Sequence, residues 1–382
     1  MGRALLIGFV LLVTLVAVPL FGAVPASAAP TMSWLSPADM AKVSTIGFRA
    51  VVNVQGFIID QVNFGLANIA GHGHLHFFVD GGYVGAIAQT GFDFGTLTVG
   101  SHVISAALHN NDHSALIPPV SAQITVQAGP TELRVLEPVG GATVSSLGFR
   151  VRVAVSNFTL DPQDYAGAPI PGQGHIHVTS TTLLAAVATE SVVITGQAVG
   201  PLNLNVSVHN NDHSPISPAV FKLLTVTVAA PSIQASAPVS IEVGQALNVS
   251  WTVNGFVLDN AAFGGTPEAG RGHVHVFVDG TYNTATAGTS VSLSGLATGT
   301  HTIRVELYNN DHTELPTMYE STKTVVVKAP ATPPAPQPAG FSPTVFYGSV
   351  GFLILIIVIL GVLLARKGRG GTKTPGETQG GT

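Results

Sequence analysis

Three stretches of the sequence share one pattern: GHGHLHFFVDG at 71–81, GQGHIHVTSTT at 172–182 and GRGHVHVFVDG at 270–280. In each stretch apolar and polar residues alternate, which is typical of a β-strand with one buried face. Each stretch is followed by a second landmark, HNNDHSALIP from His109, HNNDHSPISP from His209 and YNNDHTELP from Tyr308. Self-similarity at a period of roughly 100 residues indicates three tandem copies of one module.

Short alternating segments bounded by Gly, Pro, Asn and Asp fill each copy, and no amphipathic helix pattern competes with them. In copy three, Ile303, Val305 and Leu307 alternate with polar neighbours and would face a core. The sequence therefore predicts an all-β chain of three tandem immunoglobulin-like β-sandwich domains. Short Pro-containing joints place these modules at 29–129, 130–230 and 231–328.

The two ends of the chain differ from the modules. Residues 1–28 contain a basic Arg3, a long apolar run and the small-x-small pattern of Ala26 and Ala28, which predicts a secretory signal peptide. Residues 329–343 are Pro-rich and predict an extended linker. Residues 344–364 contain an uncharged stretch, Val345 to Leu364, that is long enough to predict a transmembrane helix.

Basic residues follow this helix in a Gly- and Thr-rich tail at 365–382, and the positive-inside rule places that tail in the cytoplasm. The sequence thus predicts a single-pass protein of the cell membrane with its N-terminal bulk outside. With Arg3 and the four basic tail residues removed, 10 Lys and Arg remain; without Glu377, 19 acids remain. The exported part therefore carries a net charge of −9.

With these features together, the chain resembles the immunoglobulin-like β-sandwich repeats of membrane-anchored microbial cell-surface proteins. The resemblance lies in the roughly 100-residue unit, in the late strands beginning Gly100-Ser101-His102 and Gly299-Thr300-His301, and in the Pro-rich stalk before one C-terminal anchor. It covers about residues 31 to 329 and is architectural, so it implies fold and location rather than activity.

Composition excludes several kinds of site. The chain has no Cys, which removes disulfides, thiolate zinc sites, iron–sulfur clusters and blue-copper centres. The net charge of −5 and the lack of Lys and Arg clusters beside aromatic residues give no footprint for a nucleic-acid partner. What remains is histidine, and all 14 His lie inside the three modules, at or beside the two landmarks.

The His pairs on the first landmark strand alternate with core residues, so both rings belong to the non-core face of the sheet. If the two landmark strands are neighbours, the His at the end of the later strand faces this pair and completes a three-His surface site. The Asn-Asn-Asp turn then returns a further His as a candidate fourth ligand. The predicted metal ligands are His74, His76, His109 and His113; His175, His177, His209 and His213; and His273, His275 and His312.

Imidazoles without thiolates suit copper or zinc, whereas calcium would need more carboxylate oxygens than these loops offer. Copy three has Tyr308 in place of the strand-end His, which either weakens that site or shows that the position is not essential. Asp60, Asp161 and Asp259 each lie 14 residues before the first His of the pair. They either orient a ligand His or cap a loop. His102 and His301 have core-side parity and read as structural.

Two functions stay open. One is a membrane-anchored protein that binds copper or zinc through these His clusters. The other is a structural or adhesive stalk whose His-rich face contacts a surface protein or a glycan. An enzyme is not expected: the Gly-His-x-His strand resembles the copper-binding strand of copper,zinc superoxide dismutases, but the Cys and zinc loop of that family are missing. Carbonic anhydrases also use a strand His-x-His, but their zinc lies in a deep cone, whereas parity here predicts an open sheet face.

Overall fold

A computed structural model describes residues 29–330 and 343–367 of the chain. Within these residues the chain forms 27 β-strands and one α-helix. The strands fall into three repeats of nine, and each repeat forms one three-stranded and one six-stranded sheet. The protein is therefore nearly all β, with three immunoglobulin-like sandwiches in tandem. The segment 1–28 predicted as a signal peptide lies outside the described residues.

The first module has the strands β1 Thr31–Ser36, β2 Ala41–Ser44, β3 Phe48–Gln55, β4 Ile58–Ile59, β5 His72–Val79, β6 Gly82–Ile87, β7 Gly91–Phe94, β8 Gly100–Asn110 and β9 Ser121–Gly129. Its smaller sheet has the order β1-β3-β7. Its larger sheet has the order β2-β9-β8-β5-β4, with β6 also paired to β5.

The other two modules repeat this arrangement. The second has β10 Glu132–Glu137, β11 Thr143–Ser145, β12 Phe149–Ser156, β13 Thr159–Leu160, β14 Gln173–Thr179, β15 Leu183–Val187, β16 Ser191–Ile194, β17 Gly200–Asn210 and β18 Phe221–Ala229. The third has β19 Ser232–Ser236, β20 Ser240–Glu242, β21 Leu247–Asn254, β22 Val257–Leu258, β23 Arg271–Val278, β24 Thr281–Thr286, β25 Ser290–Leu293, β26 Gly299–Asn309 and β27 Glu320–Lys328.

The core of each sandwich comes from the inward face of the larger sheet packed on the smaller one. In module 1, β5 contributes Leu75 and Phe77, and β8 contributes Ile104, Ala106 and Leu108, all at most 2% exposed. Burying a Leu, Ile or Phe side chain is worth about 1.5–3 kcal/mol, so these residues fix which face of each strand turns inward. The side chains between them are therefore held on the opposite face.

The two landmark strands are antiparallel neighbours in every module, which confirms the pairing expected from the sequence. His74 lies opposite His109, His175 opposite His209, and His273 opposite Tyr308. On its other side, the His-x-His strand pairs with the short strand before it and with the hairpin strand after it. The His-x-His strand is thus an inner strand of the larger sheet. The loop 60–71 of module 1 joins β4 to this strand, and both strands lie on the same side of the sheet order.

Consecutive modules are in contact through this loop. Gly172 of module 2 approaches Gly47 of module 1, and Gly270 of module 3 approaches Gly148 of module 2, so closely that neither Gly172 nor Gly270 has room for a Cβ atom. At the second joint, Arg150 forms an ion pair with Glu268. Arg271 donates to Glu137 at 2.6 Å. The loop of module 3 is therefore tied to module 2 by two ion pairs.

The helix α1, Pro343–Lys367, falls on the segment 344–364 predicted to cross a membrane. Its apolar side chains are largely exposed, for example Phe352 at 66% and Leu364 at 68%. In the described parts of the chain, no helix combines the length and the apolar character needed to cross a membrane. Residues 331–342 of the predicted linker and 368–382 of the predicted tail lie outside the described residues.

Candidate metal centre

The His-x-His strand fixes two of the ring nitrogens in each module. Leu75 and Phe77 on β5 are fully buried in the sandwich, so His74 and His76 lie on the opposite face with their Nε2 atoms 3.0 Å apart. The same strand geometry gives 2.8 Å between His175 and His177 and 3.0 Å in module 3. The period of two along a strand is the reason that both rings share one face.

The Asn-Asn-Asp-His turn supplies the third nitrogen. Asn110 N–H donates to Ser114 C=O at 2.9 Å, and His113 N–H donates back to Asn110 C=O at 3.0 Å, which closes a tight turn. Asp112 Oδ1 accepts the Ser114 N–H at 2.9 Å. This turn forces His113 into the left-handed region, and the equivalent His residues share the conformation: φ is 67° at His113, 68° at His213 and 66° at His312.

A non-glycine residue at positive φ is strained by about 1–2 kcal/mol. The three turn His share this strained conformation, and in each module it sets the direction of the ring. The outcome of the strain is that Nδ1, not Nε2, of the third His points toward the strand pair.

Three ring nitrogens converge in every module. From His113 Nδ1 the distances are 3.0 Å to His74 Nε2 and 3.1 Å to His76 Nε2. In module 2, His213 Nδ1 lies 3.0 Å from both partners. In module 3, His312 Nδ1 lies 3.1 and 3.0 Å from His273 and His275. Each set is thus a nearly equilateral triangle.

Hydrogen bonding does not explain such a triangle. Each ring nitrogen either donates through an N–H or accepts through a lone pair. Three such atoms within 3.1 Å of one another therefore leave at least one short contact between two N–H groups or between two lone pairs. A cation shared by three lone pairs removes that repulsion. Zinc–nitrogen bonds of about 2.0–2.1 Å are long enough for one ion to reach all three nitrogens at these spacings.

The first His of each pair is fully buried: His74, His175 and His273 are 0% exposed. This differs from the open sheet face that strand parity predicts. The loop between β4 and β5 folds over the sheet, and the Phe64 ring packs edge-on against His74 at 4.6 Å and His113 at 5.2 Å. Alternation along a strand says which face a residue occupies, but not whether a loop covers that face.

The covering aromatic residue is a site component that the sequence reasoning missed. Tyr165 in module 2 lies 4.8 Å from the His175 ring, and Phe263 in module 3 lies 4.6 Å from the His273 ring. The signal was present, because Phe64, Tyr165 and Phe263 each follow the loop Asp by four residues. Tyr165 O–H also donates to Ala186 C=O at 3.1 Å, which fixes the loop of module 2 in place.

Burial keeps the strand His neutral. Desolvation first, and then the neighbouring His rings, lower the pKa of His74 and His76 to about 4. Burial is also the main cause that lowers the pKa of His175 and His177, and of the module 3 pair, to about 4. A neutral imidazole has a free lone pair at physiological pH, so these rings are ready to act as ligands without losing a proton.

The strand-end His residues lie beside the triangle rather than in it. His109 Nδ1–H donates to the His113 C=O at 3.0 Å, and its ring stacks on His76 with centroids 3.7 Å apart. His209 makes the same bond to His213 C=O at 2.9 Å. His109 lies opposite His74 but stacks on the diagonal neighbour His76, so its ring packs beside the site instead of pointing into it.

Module 3 shows that stacking is the shared property of this position. Tyr308 replaces the strand-end His, and its ring stacks on His275 with centroids 3.7 Å apart and planes inclined by 11°. The triangle is unchanged there, with edges of 3.0, 3.1 and 3.0 Å. The Tyr in copy three is therefore compatible with an intact site.

The Asp residues upstream act as loop caps. Asp60 accepts from Asn63 N–H at 3.1 Å and Asn63 Nδ2 at 2.8 Å, and it contacts His72, which is outside the triangle, at 3.0 Å. Asp259 likewise accepts from Ala261 and Ala262 N–H groups. Of the two roles that the sequence left open, these contacts favour capping of the loop that covers the site.

His102 and His301 have a structural role, as the sequence indicated. His102 Nδ1 lies 2.7 Å from Asp80 Oδ2, and its Nε2 lies 2.9 Å from the Thr98 C=O. The hydrogen bond to Asp80 is the main cause that raises the pKa of His102. His301 repeats the arrangement with Asp279 at 2.7 Å. These pairs tie a hairpin turn to the long strand.

The known proteins similar to this chain are solved structures of low sequence identity. No family model and no curated protein matches the sequence. Solved structures similar to the chain include the fibronectin(III)-like modules of Clostridium thermocellum CbhA, at 18% identity over 52% of this chain and 94% of that chain, with a TM-score of 0.24. A marsupial T cell receptor matches at 11% identity over 77% and 98%, with a TM-score of 0.22.

A third match is Bacteroides ovatus SGBP-B, whose structure is in complex with a mixed-linkage heptasaccharide. It has 12% identity over 78% of this chain and 71% of that chain, with a TM-score of 0.18. The three matches have TM-scores of 0.18 to 0.24, which carry no argument about function. Function must therefore be inferred from the His triangles themselves.

Proposed function

We propose that this protein is a membrane-anchored, outward-facing binding protein in which each of the three modules holds one divalent transition metal ion, copper or zinc. The observation that supports this most directly is the triangle of three imidazole nitrogens with edges of 2.8–3.1 Å, repeated in three modules. The ligands are His74, His76 and His113; His175, His177 and His213; and His273, His275 and His312.

The chemistry of the donor set favours these metals. Three imidazoles suit zinc and copper, and hard cations such as calcium or magnesium need carboxylate or carbonyl oxygens. In the described ranges 29–330 and 343–367, the groups that could hold a metal contain His alone. A net charge of −9 on the exported part also raises the local concentration of cations at its surface.

Titration of the purified full chain with Zn²⁺ and Cu²⁺ tests this function. We expect three ions per chain with a Kd below about 10 µM, equivalent to about −7 kcal/mol. His76→Gln should reduce the number of ions to two. The matched control is His72→Gln, since His72 adjoins the site but Gln173 occupies its place in module 2, and this variant should still bind three. Fewer than one ion bound per chain, or three bound by His76→Gln, would refute the proposal.

The second candidate is a structural or adhesive stalk, with a surface protein or a glycan as its partner. The contacts between modules favour this role, because Arg150 pairs with Glu268 and Arg271 with Glu137 across one joint. A protein that is isolated without metal, and whose thermal unfolding is the same with and without a chelator, belongs to this class.

The location rests on the sequence: the cleavage pattern at Ala26 to Ala28, the uncharged run Val345 to Leu364 and the basic residues that follow it. We expect the full chain to stay with membranes after alkaline carbonate extraction and to be cut by a protease added to intact cells. Release into the carbonate supernatant would contradict the anchor.

A further inference from the structure

The three-His triangle leaves part of the coordination sphere of its ion unfilled. Among the described residues, no carboxylate and no fourth His nitrogen joins any of the three groups. Zinc in a closed structural site takes four protein ligands, whereas a site with three protein ligands keeps a position for a molecule from outside. An ion held by the triangle would thus have at least one exchangeable position.

In modules 1 and 3 the ligand supplied by the turn is exposed. In module 1 the three ligands differ in burial in a graded way: His74 is fully buried, His76 is half-buried and His113 is exposed. The exposed ligand is on the turn that follows β8, at the end of that inner strand. An incoming ligand can therefore reach the ion from the side of the turn without displacing the core or the loop that covers His74.

Two half-exposed rings flank the opening in modules 1 and 3. Phe64 is 37% exposed and packs on His74, and Tyr83 is 58% exposed and lies 5.3 Å from the His76 ring. In module 3, Phe263 is 40% exposed, and Tyr282 is 51% exposed and lies 5.1 Å from His275. A flat aromatic ligand entering such a gap gains ring contacts that water or a small anion cannot make.

Module 2 provides a natural comparison. The hairpin position of Tyr83 is opposite Phe78, and that of Tyr282 is opposite Phe277. The corresponding residue in module 2 is Leu183, opposite Thr179. Module 2 thus keeps the loop ring, Tyr165, but lacks the second aromatic flank.

The charge beside each site disfavours anionic ligands. An Asp precedes the third His in every module, as Asp112, Asp212 and Asp311, and each is held at the turn by a backbone N–H two residues later. The negative charge of the exported part, −9, acts in the same direction. A neutral nitrogen donor therefore competes better here than a carboxylate.

We propose that the open position of each metal-loaded site binds the imidazole of a histidine side chain supplied by a partner polypeptide. The inference rests on the proposed function, because it needs the metal ion. It makes the protein a metal-bridged docking platform, with modules 1 and 3 as the stronger sites and module 2 as the weaker one.

The test uses the full chain loaded with Co²⁺, whose visible absorption reports the ligands of the ion. His213→Gly with His312→Gly leaves module 1 as the one complete triangle. Titration with N-acetylhistidine amide should shift the Co²⁺ bands to saturation, and with about two- to tenfold higher affinity than titration with acetate, the gain that one aromatic contact provides. Equal or tighter binding of acetate, or no shift with either probe, would overturn the inference.

Two further variants examine the aromatic flank. Tyr83→Leu in the module 1 background should lower the affinity for the histidine probe about two- to tenfold and leave the affinity for acetate unchanged. In a chain with His113→Gly and His312→Gly, which leaves module 2, Leu183→Tyr should raise that affinity by the same factor. No response in either variant would refute the role of the flank.

The two levels of failure are distinct. If the chain shows no Co²⁺ bands above those of the variant lacking all three turn His, the proposed metal function fails. If the bands are present but insensitive to the histidine probe, metal binding stands and the docking inference fails.

Discussion

The strained turn His gives the sharpest prediction, since it combines a stability effect and a binding effect of opposite sign. Replacing His113, His213 and His312 together by Gly removes one ligand from every triangle. Positive φ strains each His by about 1–2 kcal/mol, and Gly relieves it. Gly adds about 0.5–1 kcal/mol of chain entropy to the unfolded state. We therefore expect each metal-free module to gain about 0.5 kcal/mol.

Metal should have the reverse effect. An ion present at 100 times its Kd stabilises the native state by about 2.7 kcal/mol per site. The wild-type chain should gain this on addition of Zn²⁺, and the Gly variant should gain nothing. Denaturant unfolding followed by the fluorescence of Trp34 in module 1 and the buried Trp251 in module 3 reads both effects, with EDTA-treated and Zn²⁺-loaded samples compared.

Two results would refute this reasoning. If the metal-free Gly variant is less stable than wild type by 2 kcal/mol or more per module, as an order of magnitude for a lost structural group, the turn His holds the fold together. If the Gly variant still binds three Zn²⁺ ions, the ion does not sit in the triangle. A matched substitution outside the sites, His72→Gln, should change neither quantity.

Two further predictions concern the surroundings of the site. His109→Ala removes both the donor to His113 C=O and the ring stacked on His76, so metal affinity in module 1 should fall about 10- to 100-fold. His109→Tyr copies Tyr308 and should retain most of that affinity. Equal losses in the two variants would contradict the stacking role. In the folded chain the pKa of the strand His is lowered to about 4 from 6.5, so the unfolded chain binds more protons between these two pH values. The stability of the metal-free chain should therefore be full above pH 6.5 and fall as the pH drops toward 4. The loss should reach about 3 kcal/mol for the first protonation in each triangle. Denaturant midpoints measured from pH 8 to 4 check this, and a flat profile would contradict it.

Much of this molecule follows from local patterns. The alternation in β5, β14 and β23 specifies strands and the face that each side chain occupies, because side chains have a period of two in any strand and burial selects one register. The recurrence of the two landmarks at matched spacing predicts three modules and brings the same strands together in each one. Of the nine nitrogen–nitrogen contacts in the three triangles, three lie within a His-x-His pair and are local. The other six join the strand to a turn 36–39 residues later, so they needed the folded chain.

The tertiary structure decided which His of each set converge. From the sequence, His109 directly opposite His74 and His113 beyond a turn were both candidates, since parity treats them alike. The turn φ of 67° aims Nδ1 of His113 inward, while His109 bonds to the carbonyl of that turn and stacks outside the triangle. Backbone dihedrals and rotamers at a turn depend on contacts between distant segments, so no spacing rule reveals them.

The loop that covers the site was decided in the same way. Phe64 closes over His74 only because the loop is capped by Asp60 and tied to the turn by the bond from Gly65 N–H to Asn111 C=O, at 2.8 Å. The sequence by itself determined which atoms could serve as ligands and on which face of which strand they lie. Folding determined their burial, their neutral state and the 3 Å spacing, because those properties arise when segments about 40 residues apart are packed against one another.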